Sequence, residues 1–148
     1  MAFMLHFDHE NRVIYHKVSG VMNQSQLEEA NQHIARESAC MDYSMILDFS
    51  AVRHFDLPEH TLEKLGRRIR KEIPVRLRAL VVNDRALEGA EAFAAHAANA
   101  FCTTRVFTCL GDACQWLLIS EDDLLRKCRG YRPADTFYGS NADHWQYV

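Results

Sequence analysis

The chain has 148 residues, 48% of them hydrophobic and 25% charged, with a formal net charge of −3. That length builds one domain with its own core, needing no disulfide or metal staple, and the acidic balance argues against a dedicated nucleic-acid binder. Five cysteines without a CxxC pair exclude complete intramolecular pairing and point to a reduced, cytoplasmic protein with mostly buried thiols.

The opening MAFMLHFDHE reaches acidic residues too early for a signal peptide, and no apolar run approaches the roughly 20 residues of a membrane span. Phe3, Leu5 and Phe7 alternate with Met4, His6 and Asp8, the period of a half-buried strand. After the polar turn Asp8–Asn11, the β-branched and aromatic residues of 12–18 predict the second arm of an antiparallel hairpin closed by Ser19-Gly20. Asn23 with Gln26 makes a capping-box pattern for a first helix, its face formed by Leu27, Ala30, Asn31 and Ile34 and its end near Ser38.

Met45-Ile46-Leu47 is a continuous apolar run, the pattern of a central strand covered on both faces, with Asp48 and Ser50 at or just past its carboxyl end. Asp56 and Glu59 form a second capping box, and Pro58 fits the first turn, where its missing donor would have no partner. Leu62, Leu65, Ile69 and Ile73 recur at helical spacing until Pro74. Residues 77–82 read as another strand. Asn83-Asp84 caps a third helix with Leu87, Ala90, Phe93, Ala94, Ala97 and Phe101 on one face. A short strand over 105–109 and a helix over 111–119, with Trp116 and Leu117 inward, complete the series.

The order is hairpin, helix, strand, helix, strand, helix, strand, helix. Such alternation implies parallel central strands with right-handed crossovers, so the fold class is α/β with a mixed sheet. One domain spans 1–125. The remainder, 126–148, is an extension carrying Tyr131, Phe137, Tyr138, Trp145 and Tyr147, too aromatic for a free tail. It packs either on its own domain or across the interface of a homodimer.

With these elements in place, the chain resembles the STAS family, in its SpoIIAA-like branch. The likeness rests on Val18-Ser19-Gly20, on Ile46 to Ser50, on Phe55-Asp56, on Arg105-Val106-Phe107 and on Ala113 to Leu117, and covers residues 1–120. It implies a mixed sheet with packed helices in a small bacterial protein that binds rather than catalyses. Members that antagonise anti-sigma factors are switched by phosphorylation of a serine after the aspartate that starts the second helix. Leu57 and Pro58 follow Asp56 here, and neither accepts a phosphate, so the switch is not expected. The branch is also compared in fold with CRAL-TRIO lipid-transfer domains, which makes a small hydrophobic or lipid-like ligand beneath the second and third helices the alternative reading.

Two groups of residues carry the functional expectation. Asp48, Ser50, His54, Asp56 and His60 crowd a strand-to-helix junction, where ligands of α/β sheets bind. A His–Asp pair there has the elements of a general base, but capping accounts for Asp56 and Glu59, and no GxSxG elbow supplies a nucleophile. Lys64, Arg67, Arg68 and Lys71 form a stripe of the second helix, with Arg70, Arg76 and Arg78 nearby and Glu72 the sole acid between Lys64 and Arg78. The histidines show no HxH or HExxH spacing, so neither metal nor cofactor is expected. These features together imply a non-catalytic interaction or regulatory module with a protein partner, no nucleic acid and no transmembrane segment.

Overall fold

The alternating amino end folds into the predicted hairpin, β1 (Ala2–Asp8) pairing antiparallel with β2 (Val13–Val21) so that Asp8 faces Val13. In the computed structural model the described residues are 2–21, 24–37, 42–54, 58–72, 75–97, 102–129 and 135–139. Beyond the hairpin run α1 (Gln24–Arg36), β3 (Ser44–His54), α2 (Glu59–Glu72), β4 (Leu77–Val82), α3 (Leu87–Ala97) and β5 (Thr103–Phe107). Then come α4 (Leu110–Trp116), α5 (Glu121–Cys128) and β6 (Thr136–Gly139). The capping residues Asn23 and Asp56, and the aromatic residues Phe101, Tyr131, Trp145 and Tyr147, lie outside the described residues.

The fold is α/β with one six-stranded mixed sheet in the order β5-β4-β3-β2-β1-β6. β2 through β5 are parallel neighbours, and β1 is antiparallel to both β2 and β6. The three crossovers from β2 to β5 step across the sheet in one direction. Crossovers of one hand therefore lay α1, α2 and α3 on the same face. Leu27, Ala30 and Ile34 of α1, Leu65 and Ile69 of α2, and Ala90, Phe93 and Ala97 of α3 bury there against Leu5, Ile14, Leu47 and Leu80. The connection from β5 to β6 travels the opposite way, so the same hand puts α4 and α5 on the other face. A second core forms there, from Ala113, Cys114, Leu124 and Cys128 against Met4, Tyr15, Ile46 and Val81.

This return path alters three expectations. β1 is not half-buried: all seven of its residues are enclosed, because α5 covers the face expected to meet solvent and β6 takes the edge. The expected boundary at residue 125 falls inside α5, and the described part of the extension completes the sheet. β3 runs on to His54, so Asp48 stands within the strand and not at its end. The helix expected over 111–119 is also shorter, α4 ending at Trp116, with Trp116 and Leu117 half-buried there.

β6 is held by specific contacts. The Phe137 ring stacks on His33 at 5.2 Å and meets Phe7 edge-on at 5.8 Å, and Thr136 Oγ1 lies 2.8 Å from His6 Nδ1. Only glycine fits at 139, since a Cβ there would sit 1.9 Å from Phe3 Cε1. The hairpin turn is tied to α5 in turn: Lys127 Nζ reaches Asp8 Oδ1 at 3.1 Å, Glu10 Oε2 at 3.0 Å and Asp123 Oδ2 at 3.1 Å. Burial alone would raise the Asp8 carboxyl, but hydrogen bonds from the Asn11 backbone and side chain and from Lys127 hold it below its ordinary value.

α4 ends in a Schellman motif. The Ile119 N–H donates to the Cys114 carbonyl at 3.0 Å and the Leu118 N–H to the Gln115 carbonyl at 3.1 Å. The left-handed position at φ 59°, usually glycine, is occupied by Leu118. A side chain with Cβ costs about 1–2 kcal/mol in that conformation.

Two basic or titratable side chains are fully enclosed on the α1–α3 face. Arg78 is 0% exposed, and its Nη1 donates to the Ala97 carbonyl in the last turn of α3 at 3.3 Å. His16 is likewise 0% exposed, edge-on to Phe3 at 5.7 Å, and among the described residues neither ring nitrogen has a hydrogen-bond partner. Burial draws His16 down from 6.5 to about 4. Below its ordinary value the unfolded chain takes up a proton that the folded chain refuses until about 4. Stability is therefore full above 6.5 and falls by about 1.4 kcal/mol per pH unit as the pH descends through this window. His16→Leu, close in volume and without polar atoms, is expected to gain about 1 kcal/mol at neutral pH and to lose most of this slope. Urea titrations at neutral pH and at about pH 5 test both statements; a variant that is less stable and equally pH-dependent would contradict them.

Candidate functional site

The predicted junction residues divide into an interior and a rim. Asp48 is 2% exposed, on the α4–α5 face of the sheet. The parallel register sets Lys17 beside it on β2, and the period of the strand puts Tyr15 on the same face. The Tyr15 hydroxyl donates to Asp48 Oδ2 at 2.6 Å, while Ser50 donates to Oδ1 from its backbone N–H at 2.9 Å and its hydroxyl at 2.5 Å. The carboxylate thus receives three donors, the arrangement that lets a charge stay inside a sheet. Burial and the Asp48 charge push the Tyr15 phenol far above its ordinary value, so it remains a donor at every physiological pH.

Ser50, His54 and His60 are exposed, at the carboxyl end of β3 and the first turn of α2. Asn83, after β4, closes the same rim. Its Nδ2 donates to the carbonyls of Ser50 at 3.0 Å and Val52 at 2.8 Å, and its Oδ1 accepts from the backbone of Arg85 and Ala86 at 3.0 Å each. The predicted cap of the third helix is therefore also the bolt between β3 and β4. Asp56 falls outside the described residues. Asp48, expected on the rim with the others, is sequestered beneath it because β3 continues six residues further.

On α2, Leu65 and Ile69 face the core, and the 3.6-residue period directs His60, Lys64, Arg67 and Lys71 to the diametrically opposite side. All four are exposed. Arg67 is paired with Glu63 one turn back. Among the described residues His60, Lys64 and Lys71 enter no ion pair. Arg68 points sideways, its Nη1 3.0 Å from Glu28 Oε1, and ties α2 to α1. Arg78, counted near the stripe from sequence, is in the core. The outer surface of α2 is thus a straight cationic line of three residues plus a histidine.

The α2–α3 contact, beneath which the alternative ligand would lie, is close. A Cβ on Gly66 would come within 2.7 Å of His96 Cβ and 3.1 Å of the Ala97 backbone nitrogen. Two of the expected buried thiols, Cys114 and Cys128, lie near Tyr15. Burial, with Glu121 and Asp48 adding to it, pushes the Cys114 thiol up to about 12, and burial with Asp8 does the same for Cys128. Neither is an activated nucleophile. The described cysteines, 102, 109, 114 and 128, are free thiols. Among the described residues no group of three or more His, Cys, Asp or Glu side chains is placed to hold a metal ion, and no helix is long and apolar enough to cross a membrane.

Removing the Tyr15 hydroxyl leaves the buried carboxylate one donor short. Tyr15→Phe is expected to destabilise the fold by about 1.5–3 kcal/mol, the range for a hydrogen bond to a charged group. Denaturant unfolding measures this. A loss below about 0.5 kcal/mol, the scatter of neutral surface changes, would mean that Asp48 does not depend on the phenol.

No family model, no curated protein and no solved structure matches the chain.

Proposed function

We propose that the chain is a non-catalytic interaction or regulatory module of the STAS-like kind, acting in the bacterial cytoplasm without a serine phospho-switch. It docks an acidic protein partner through the outer face of α2 and the adjoining rim of β3. The observation that carries this reading is the pair Lys64 and Lys71, which enter no ion pair among the described residues and stand with His60 opposite the buried face of α2. Unpaired charges of one sign on a rigid helix steer and orient a partner of the other sign. The chemistry of the junction supports the same reading. Asp48 spends its lone pairs on Tyr15 and Ser50, and the Cys114 and Cys128 thiols are held protonated. The tight Gly66–His96 approach favours docking on α2 over a lipid-like ligand beneath it.

The double variant Lys64→Glu/Lys71→Glu tests this. Both positions are exposed and unpaired, so the melting temperature should hold, the stability change staying within about 0.5 kcal/mol. Arg68 is unsuitable, because its reversal would break the tie to Glu28. Crosslinked capture from a bacterial cytosolic extract should fall at least tenfold, about 1.4 kcal/mol of binding. Undiminished capture would leave the stripe with no role beyond solvation.

A further inference from the structure

β6 is an edge strand of four residues, and its neighbour in the sheet is β1. Three imidazoles meet three consecutive residues at its start. His9 Nε2 lies 3.5 Å from Asp135 Oδ1, His6 Nδ1 lies 2.8 Å from Thr136 Oγ1, and the His33 ring stacks on Phe137 at 5.2 Å.

The three respond differently to a proton. The His9 and Asp135 side chains are 43% and 52% exposed, so a charge on His9 is paired and hydrated where it stands. His33 is half-buried, and a charge there meets the face of Phe137. Neither change loosens the strand. His6 is 6% exposed, and its Nε2 is buried with no hydrogen-bond partner. A neutral ring can leave a bare lone pair at Nε2. An imidazolium carries a hydrogen on both nitrogens, which places a charged donor in the interior with nothing to receive it.

The surroundings do not supply a receiver. Asp8, on the same strand, commits its oxygens to Asn11 and Lys127. Tyr15, opposite on β2, is held neutral, as is the Cys128 thiol of α5. Burial is the largest influence on His6 and holds its imidazole below the ordinary value of 6.5. Asp8 and Asp135 pull the other way, while Lys127 and His9 add to the effect of burial.

We infer that β6 is an acid-released strand: a proton on His6 is accommodated by parting Thr136 and its strand from β1 while the rest of the domain stays folded. β6 is the side that yields, being four residues at an edge, whereas β2 on the other side of β1 is a nine-residue strand inside the sheet. Release leaves β1 as the new edge, its backbone open to pairing with an extended segment. The charged ring favours the open form, so closure is complete above the ordinary value of 6.5 and weakens as the pH falls below it.

Hydrogen exchange on the full chain, read by NMR between about pH 7 and about pH 5, tests this. Corrected for intrinsic exchange rates, protection of the β6 amides should lie below that of β3 and β4, and should fall by up to about tenfold per pH unit below 6.5. His16→Leu should keep this fall, because His16 lies on the other face of the sheet. His6→Asn, which keeps a hydrogen-bonding atom near the Nδ1 position and does not titrate, should abolish it. Protection that is flat with pH overturns the inference, as does a fall that persists in His6→Asn. Protection in β6 equal to that of β3 and β4 also overturns it, because the strand then opens only with the whole domain. So does loss of protection in α5 ahead of β6, since the helix would then be the part that yields. Should His6→Asn not fold, the imidazole resonances of wild type decide: the β6 amide signals should change with the midpoint of the His6 ring, and a midpoint shared with His9 or His33 instead overturns the inference.

Discussion

The hand of the crossover connections is the constraint on which this structure turns. Four parallel strands laid down in one direction commit α1, α2 and α3 to a single face and leave the other face of an apolar sheet bare. Met4, Tyr15, Ile46 and Val81 would then meet water. The chain can cover them only by reversing direction, and the same handedness puts the return on the uncovered side. α4 and α5 make that journey, and β6 arrives at the far edge of the hairpin. The Lys127 cluster with Asp8, Glu10 and Asp123 stands where α5 crosses the hairpin turn, pinning the return path to the element made first.

Enclosure on both faces decides what a polar residue in the sheet is for. Asp48 follows a run of three apolar residues and precedes a hydroxyl, which from sequence is the signature of a strand end opening on a ligand. With α4 and α5 over it, the same carboxylate becomes an internal acceptor served by Tyr15 and Ser50. Its burial is tolerable because the donors were assembled by register: Tyr15 lies on the adjacent strand one pleat back, and Ser50 two residues on along its own. His16 shows the contrasting solution. It sits on the other face, where among the described residues its ring nitrogens have no hydrogen-bond partner, and burial draws its pKa down so that it stays neutral.

What was legible in the sequence follows the range of the interactions. The hairpin, the three helices over the first face and the central strands are written in local periodicity, and Asn83 announced its cap by type alone. β1 misled because alternation reports side-chain polarity, and His6 and Asp8 are polar residues that the fold buries: His6 on Thr136, Asp8 on Asn11 and Lys127. Both partners from the carboxyl end lie more than a hundred residues away, where no window reaches. α5 had a local signal, Ser120 three residues before Asp123, whose backbone N–H the serine does accept. At eight residues the helix was too short for its period to stand out. β6 has four residues, and its identity depends on Phe3, Phe7 and His33, none of them near it in the chain.

α2 turns Lys64 and Lys71 outward on one side; Asp112, at the amino end of α4, and Glu121 and Asp122, at the amino end of α5, enter no ion pair among the described residues on the other. The acids of α5 have an internal justification, since a helix amino terminus stabilises negative charge whether or not anything binds there. Lys71 has one as well, in the last turn of α2 where a helix carboxyl end favours a cation, but Lys64 lies in the middle of the helix and enters no ion pair among the described residues. Where a charge is not explained by the fold that carries it, as the charge of Lys64 is not, the explanation belongs to a contact outside that fold.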